Sequence, residues 1–453
     1  MQDHSPRRTF VKVAAAAIAT ARFPILGAND RINMGVIGLG GRGTDHMKFY
    51  SSLDADCRIA AVCDVNQAAR ERGVALVKKL KGEEPKDFSD MRKMFESKDV
   101  DAVSITTPNH WHALATIWAC QAGKDVYVEK PACHNVYEGD QMVKTARKYN
   151  RMVQVGSQSR SVPHKIKAVQ LLRDGIIGTV YHARGECFRR RFSIGHTPDE
   201  PVPPGLDWSF FLGPAQMKPY SKNKFAYNWH WFWDTGNGDI GNQGVHEMDI
   251  ALWGLGRNNW PKSVVCSGGK FAWKDDQETP NTQQVTFDYG DAQVTFDVRN
   301  LPTPPEGLGG LKGPNYVGNM FFGTGGFMVV DQSGFQVYKS TAGDISGEAA
   351  RGSGAGNKEK YEKTMDEKGN NDPTEPHMKN FFDAIRARDH KLLHADIEIG
   401  ARSADFCHLA NIAYRVGRTL HPDASTGRFG QDKEANAMLT RNYRAPYVVP
   451  ENV

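Results

Sequence analysis

Short apolar runs separated by amphipathic stretches open the chain. Asn33-Met34-Gly35-Val36-Ile37, Ile59-Ala60-Ala61-Val62-Cys63, Ala102-Val103-Ser104-Ile105, Asp125-Val126-Tyr127-Val128 and Met152-Val153-Gln154-Val155 each read as a buried strand. The intervals predict helices from about Gly41, over roughly 66–80, 110–122 and 137–149. Strands alternating with helices at this spacing predict βαβ units and a parallel sheet. Beyond about residue 157 the texture changes. A helix near 163–174 and a strand near 179–187 precede a loop-rich aromatic region that runs to about 243, and a helix begins near Val245. The alternating runs 284–289 and 292–297, joined by Gly290-Asp291, predict a hairpin and an antiparallel sheet with flanking helices. Residues 343–372 read as an exposed loop. Two amphipathic helices close the chain, one with Met378, Phe381, Phe382 and Ile385 on its apolar face. The other presents Phe406, Leu409, Ala413, Val416 and Leu420. The expected division is a targeting segment over 1–30, a nucleotide-binding domain over 31–156 and a second domain over 157–453, with the C-terminal helices packing back.

A chain of 453 residues suits two or three domains, and a net charge of +5 with no basic stripe gives nucleic-acid binding little support. No apolar run reaches the roughly 18 residues needed to span a bilayer. Arg7-Arg8 ahead of the Ala-rich stretch 13–21 resembles a Tat export signal, with Ala19-Thr20-Ala21 as a cleavage site and Pro6 where a serine is usual. The seven cysteines are odd in number and never spaced as CxxC, so neither a disulfide framework nor a Cys-based zinc site is expected. Sparse disulfides suit an export route that carries folded proteins.

The chemistry concentrates at strand ends. Gly38-Leu39-Gly40-Gly41-Arg42-Gly43 follows a strand and opens a helix. The first glycine permits a tight turn, the second lets backbone approach a pyrophosphate, and the third allows helix–strand packing. Asp64 ends the second strand, where a carboxylate bonds ribose hydroxyls and repels a 2′-phosphate, which favours NAD over NADP. Arg42 is the one nearby residue able to oppose that preference. Thr107-Pro108-Asn109-His110-Trp111-His112 and Glu129-Lys130-Pro131 follow two further strands, at the edge where open α/β sheets bind ligands.

These motifs, in this order, resemble the glucose–fructose oxidoreductase / inositol dehydrogenase (Gfo/Idh/MocA) family. The resemblance continues through Gly205-Leu206-Asp207-Trp208, Leu212-Gly213-Pro214 and Gly241-Asn242-Gln243-Gly244-Val245-His246 into the C-terminal helices. It implies a Rossmann domain followed by an α/β domain whose large, mostly antiparallel sheet often forms an oligomer interface, hence a homodimer or homotetramer. It also implies hydride transfer at a carbinol carbon, commonly of a sugar, with Lys130 facing nicotinamide and substrate and His246 as general acid/base. The cofactor contacts it implies are Gly38, Leu39, Gly40, Arg42, Gly43, Asp64, Thr107, Asn109, His112, Glu129, Lys130 and Gln158. Asn242 stands where the family often has an aspartate, so His246 lacks that compensating charge unless Asp239 supplies it. The segment 227–234 is dense in aromatic rings that stack on sugar faces or fill a loop core equally well, which makes His230 and Trp231, with Asp239, candidate substrate contacts. Arg189-Arg190-Arg191 reads either as a site for an acidic group or as a solvated run. His230, Asp239, His246 and Asp249 have no metal-ligand spacing, and no metal is expected.

An exported dehydrogenase would carry its NAD folded inside and regenerate it in place. Exchange between two sugars does this, and so does transient oxidation, elimination and re-reduction of a glycoside. A non-catalytic sugar sensor is the third reading, which the joint presence of Lys130 and His246 disfavours.

Overall fold

The structure is a computed structural model that describes residues 31–303, 315–341, 344, 360–369 and 372–453. The twin-arginine segment and most of the stretch 343–360 lie outside the described residues. The first half alternates β1 (Ile32–Ile37), α1 (Gly41–Ser52), β2 (Cys57–Cys63), α2 (Gln67–Lys81), β3 (Lys86–Phe88), α3 (Met91–Glu96), β4 (Ala102–Ile105), α4 (Asn109–Gln121), β5 (Asp125–Val128), α5 (Val136–Lys148) and β6 (Val153–Val155). These strands form one parallel sheet in the order β3-β2-β1-β4-β5-β6. The order reverses between β1 and β4, and at such a reversal the strand ends leave a crevice for ligand. β1, β2, β4 and β5 are nearly continuous apolar runs because helices cover both faces of the sheet. β3 and α3 have no counterpart in the sequence reading. β3 is three residues at the sheet edge, none of them buried, and so shows no burial pattern.

The second half contains α6 (Pro163–Arg173), β7 (Val180–Arg189), α7 (Trp208–Leu212), α8 (Gly238–Asn242), α9 (Gly244–Leu255), β8 (Ser263–Gly269), β9 (Thr282–Asp288), β10 (Gln293–Arg299), β11 (Asn315–Gly323), β12 (Gly326–Asp331), β13 (Gly334–Ser340), β14 (Tyr361–Lys368), α10 (Thr374–Ala387), α11 (Ile397–Val416) and α12 (Lys433–Ala437). Its eight-stranded sheet runs β14-β13-β12-β11-β7-β10-β9-β8. Every pairing is antiparallel except β7 with β10. The predicted hairpin is β9–β10, with Val294 facing Phe287.

Two expectations need correction. Residues 361–368 are not loop but β14, an edge strand whose residues are almost all exposed, so its charged sequence carries no core-facing alternation. Leu420 is not on the last long helix. Gly417 ends α11 in the left-handed conformation at φ 67°, and Leu420 instead exchanges backbone hydrogen bonds with Val264.

The closing helices tie the halves together. On α10, Met378, Phe381, Phe382 and Ile385 pack into the cluster built on Ile32, Met34 and Tyr50 of the first sheet and α1. Along α11, Ile397 and Ala404 belong to the first domain's other cluster, while Phe406, Leu409, Ala410 and Ala413 enter the core under the eight-stranded sheet. Full burial of each such phenylalanine contributes about 1.5–3 kcal/mol.

Candidate active site

A cleft of about 1160 Å³ runs along the carboxyl edge of the parallel sheet and under α9. A single drug-sized ligand occupies roughly 300–1,000 Å³, so a dinucleotide and a second molecule fit together.

The nucleotide end is built by the glycine turn. Gly38 sits at φ 86°, and a Cβ there would lie 2.9 Å from the Thr106 backbone. A Cβ on Gly43 would lie 1.9 Å from the Gly38 carbonyl oxygen, so Gly43 is what lets α1 close on β1. A Cβ on Gly40 would meet nothing within 4 Å and would project into open space at the cleft. No side chain caps α1, whereas Asn66, Asp90 and Asn135 cap α2, α3 and α5. The free N–H groups of α1 are therefore left for an anion. Asp64, at the end of β2, lines the cleft and accepts hydrogen bonds from the Leu39 N–H at 2.7 Å and the Asn66 N–H at 2.8 Å. Burial pushes its pKa upward, opposed by those two N–H groups. These residues fit an adenosine ribose and a pyrophosphate. Gly40→Ala is expected to melt like wild type yet retain less nucleotide after purification, whereas Gly43→Ala should cost about 1–3 kcal/mol through backbone displacement. Thermal melting and released nucleotide, measured together, check both; equal nucleotide content in Gly40→Ala and wild type would refute the cradle.

Glu129 is the hub at the base of the cleft. Its Oε1 accepts from Arg42 Nε at 2.7 Å and lies 2.9 Å from His46 Nε2, with Gln158 Nε2 at 3.4 Å. The other imidazole nitrogen of His46 lies 2.7 Å from Ser104 Oγ. Burial alone would raise the Glu129 carboxyl, but the Arg42 guanidinium and His46 hold it well below the usual range. Arg42 is thus engaged by Glu129, which leaves Asp64 to set the preference for NAD. His46 escaped the sequence reading, although a histidine on the buried face of α1 beside Gly43, Met47 and Tyr50 is a legible anomaly.

Lys130 and His246 reach the same cleft from opposite domains. Lys130 Nζ donates to the Asn242 carbonyl oxygen at 2.8 Å. Burial lowers the Lys130 pKa, with Glu129 opposing. The His246 imidazole, at the start of α9, has no hydrogen bond among the described residues, and burial followed by the Lys130 charge holds it well below its ordinary value. Asn242 donates its side-chain amide to Asp239 Oδ1 at 3.0 Å and to the Tyr227 hydroxyl at 3.2 Å.

Several expected contacts sit elsewhere. Asp239 is 1% exposed and does not line the cleft; Arg191 and Asn300 bind its carboxylate, so its charge is taken up before it reaches His246. Trp231 is buried beneath the Arg191 guanidinium, and the rings of the segment 227–234 that line the cleft are Tyr227, Trp229 and His230. His230 stacks on Trp229 at 3.5 Å, and burial drives its pKa down to about 3. Leu39 and Gly43 face protein rather than the cleft, so only backbone can serve there. His112 lies at the cleft wall with both ring nitrogens against backbone oxygens, of Pro131 at 2.7 Å and Thr107 at 2.8 Å, which makes it a brace between the two strand-end loops. Asn109 is pinned by Asn237 at 3.0 Å, while the Thr107 hydroxyl is buried at the cleft without a partner. Arg189 and Arg191 line the cleft; Arg190 instead covers Phe192. Asp249 is held by Arg160 at 2.8 Å and by Ser403 and does not line the cleft.

Comparison with known proteins places these features in context. Among curated proteins, the alpha-N-acetylgalactosaminidase of Shewanella oneidensis is 28% identical over 155 residues, 33% of this chain and 34% of that protein. A glycosyl hydrolase family 109 protein of Saccharopolyspora erythraea is 27% identical over 219 residues, 47% and 42% of the two chains. The chain thus spans about a third to under half the length of these curated relatives. Among solved structures, the WlbA dehydrogenase from Bordetella pertussis with NADH and UDP-GlcNAcA superposes with a TM-score of 0.61 at 18% identity, covering 87% of this chain and 99% of that one. The aldose-aldose oxidoreductase from Caulobacter crescentus gives 0.62 at 16%, covering 86% and 100%. Likeness at such identities is one of fold. The family model for the oxidoreductase family with an NAD-binding Rossmann fold matches residues 32–157, and the model for that family's C-terminal alpha/beta domain matches 164–314 and 360–449. With a glycine cradle, an acid at the end of β2 and both family domains present, the chain belongs to the Gfo/Idh/MocA family of NAD-binding oxidoreductases.

Proposed function

We propose that this protein oxidises or reduces a carbinol carbon of a sugar with an NAD that it holds tightly. The observation that carries the reading is the convergence of Lys130 and His246, from different domains, on one cleft that continues from the glycine cradle. Bound nicotinamide would supply the hydride acceptor or donor. His246, held neutral by burial and by Lys130, is then the group that takes the hydroxyl proton. The Lys130 ammonium, fixed on the Asn242 carbonyl, orients the same hydroxyl. Tyr227, Trp229 and His230 offer ring faces to the sugar. A second reading, glycoside cleavage by transient oxidation, is favoured by the glycosyl hydrolase names of the curated relatives. The protein purified without added nucleotide, mixed with free sugars and with nitrophenyl glycosides, separates the readings. Accumulating reduced nicotinamide marks the oxidoreductase, and nitrophenol release without net nucleotide change marks the glycosidase. Silence on both would sink the two and leave a sugar sensor.

The same proposal includes export through the Tat route and assembly into a homo-oligomer. Arg7 and Arg8 support the first, and the wide eight-stranded sheet supports the second. Among the described residues no helix is long and apolar enough to cross a membrane. Replacing Arg7 and Arg8 by lysine is expected to retain the protein in the cytoplasm, as read by cell fractionation; unchanged periplasmic yield would refute export by this route.

A further inference from the structure

The cleft does not stop at His246. It continues to a polar wall made by α6, α9 and the strands β11 and β12, where Lys165, Glu247, Asn319, Asp331 and Gln332 line it. Three of these are buried polar side chains with hydrogen-bonding capacity left over. Glu247 is 5% exposed, and its Oε2 has no partner. Asn319 is 1% exposed; its amide donates to the Glu247 backbone oxygen at 2.8 Å, which leaves Oδ1 without a partner. Lys165 is 5% exposed and reaches only Ser159 Oγ at 3.1 Å and Gln332 Oε1 at 3.5 Å, with no ion pair among the described residues. A buried polar atom left unpaired costs about 1–3 kcal/mol, so a wall with several is expensive unless something else completes it.

We infer that this wall is a second subsite, which binds a hydroxyl-bearing group of the substrate remote from the reacting carbon. The inference rests on the reading of the substrate as a sugar and specifies where its further hydroxyls go. Hydrogen-bond polarity selects the class. Asn319 Oδ1 needs a donor, Lys165 offers only donors, and a hydroxyl both donates and accepts. An anion cannot satisfy Asn319 Oδ1, which needs a donor, and meets the Asp331 carboxyl group. A cation meets the Lys165 ammonium. Burial lifts Glu247 to about 8, with Lys165 the largest opposing influence, so near neutrality its carboxyl also donates or accepts as a hydroxyl requires.

The test uses the NAD-loaded protein and three probes of one chain length: sorbitol, gluconate and glucamine. Calorimetric titration is expected to show wild type binding sorbitol more tightly than either charged probe. In the double variant Lys165→Met/Glu247→Leu, sorbitol affinity should fall at least about tenfold. That variant replaces buried polar side chains that are only partly hydrogen-bonded with apolar chains of similar size, so its melting temperature should hold or rise, whereas a structural role would lower it. Asn319→Leu should weaken sorbitol in the same direction. Equal sorbitol affinity in wild type and both variants overturns the subsite, as does gluconate binding more tightly than sorbitol or no sorbitol binding to wild type. Sorbitol binding that is lost in the variants, together with no nicotinamide reduction by any sugar, upholds the subsite while the oxidoreductase reading falls.

Discussion

Lys130→Met is expected to abolish reduction of the bound nicotinamide while nucleotide content stays at the wild-type level. Methionine keeps the length of the chain and removes the ammonium that donates to the Asn242 carbonyl. The glycine cradle and Asp64, which lie at the other end of the cleft, are untouched. His246→Asn should slow the same step by about 10²–10⁴-fold, the usual contribution of a positioned proton acceptor. Both groups titrate below their ordinary values, Lys130 through burial and His246 through burial and Lys130. The acid limb of the rate profile should therefore lie below the ordinary imidazole value of about 6.5. The measurement is single-turnover absorbance of the nicotinamide after mixing with sugar. Wild-type rates in both variants would remove Lys130 and His246 from the reaction, and attention would pass to His230, which faces the same cleft.

Glu129→Gln should destabilise the fold by about 1–3 kcal/mol, because it strips the counter-charge from Arg42, whose side chain is 36% exposed and so partly screened, and removes the largest influence that raises Lys130. The folded-state pKa of Glu129 lies well below the ordinary value. Its stabilisation is present in full above the unfolded carboxylate value of about 4.3 and is lost as pH falls through the folded value. The gap in melting temperature between wild type and variant should be widest near neutrality and close under acid. Glu129 also raises Lys130, so the variant's lysine should deprotonate at lower pH than wild type. A pH-independent gap would mean that Glu129 acts by packing rather than by charge.

The Rossmann half was readable, β3 and α3 apart, because β1, β2, β4 and β5 are buried apolar runs that end in chemistry: glycines after β1, Asp64 after β2, Thr107 after β4 and Glu129 after β5. The eight-stranded sheet was read only in part. β7, β9 and β10 were anticipated, but β8, β11, β12 and β13 were not, and β14 shows its side chains almost entirely to solvent. Within the site, spacing reveals which residues follow a strand but not which way they turn. Asp239 and Asn242 sit on one short helix, yet Arg191 draws the first into the protein while the second meets Lys130. Trp231 and Trp229 are two apart and face different surroundings for the same reason. Lys165 was invisible as a site residue, since nothing along the chain marks a lysine on α6 as buried.

The packing of α10 against the first sheet has a consequence for biosynthesis. Phe381 and Phe382 complete a cluster whose other members, Ile32, Met34, Tyr50 and Val62, are translated some three hundred residues earlier. The nucleotide-binding domain therefore waits for α10, which follows the eight-stranded sheet in the chain, before its apolar surface is closed, which departs from the usual domain-by-domain order of co-translational folding. Chains stalled before residue 374 would carry the whole nucleotide cradle on a domain with an open flank. Commitment to the folded state, and with it firm retention of nucleotide, then waits for the synthesis of α10.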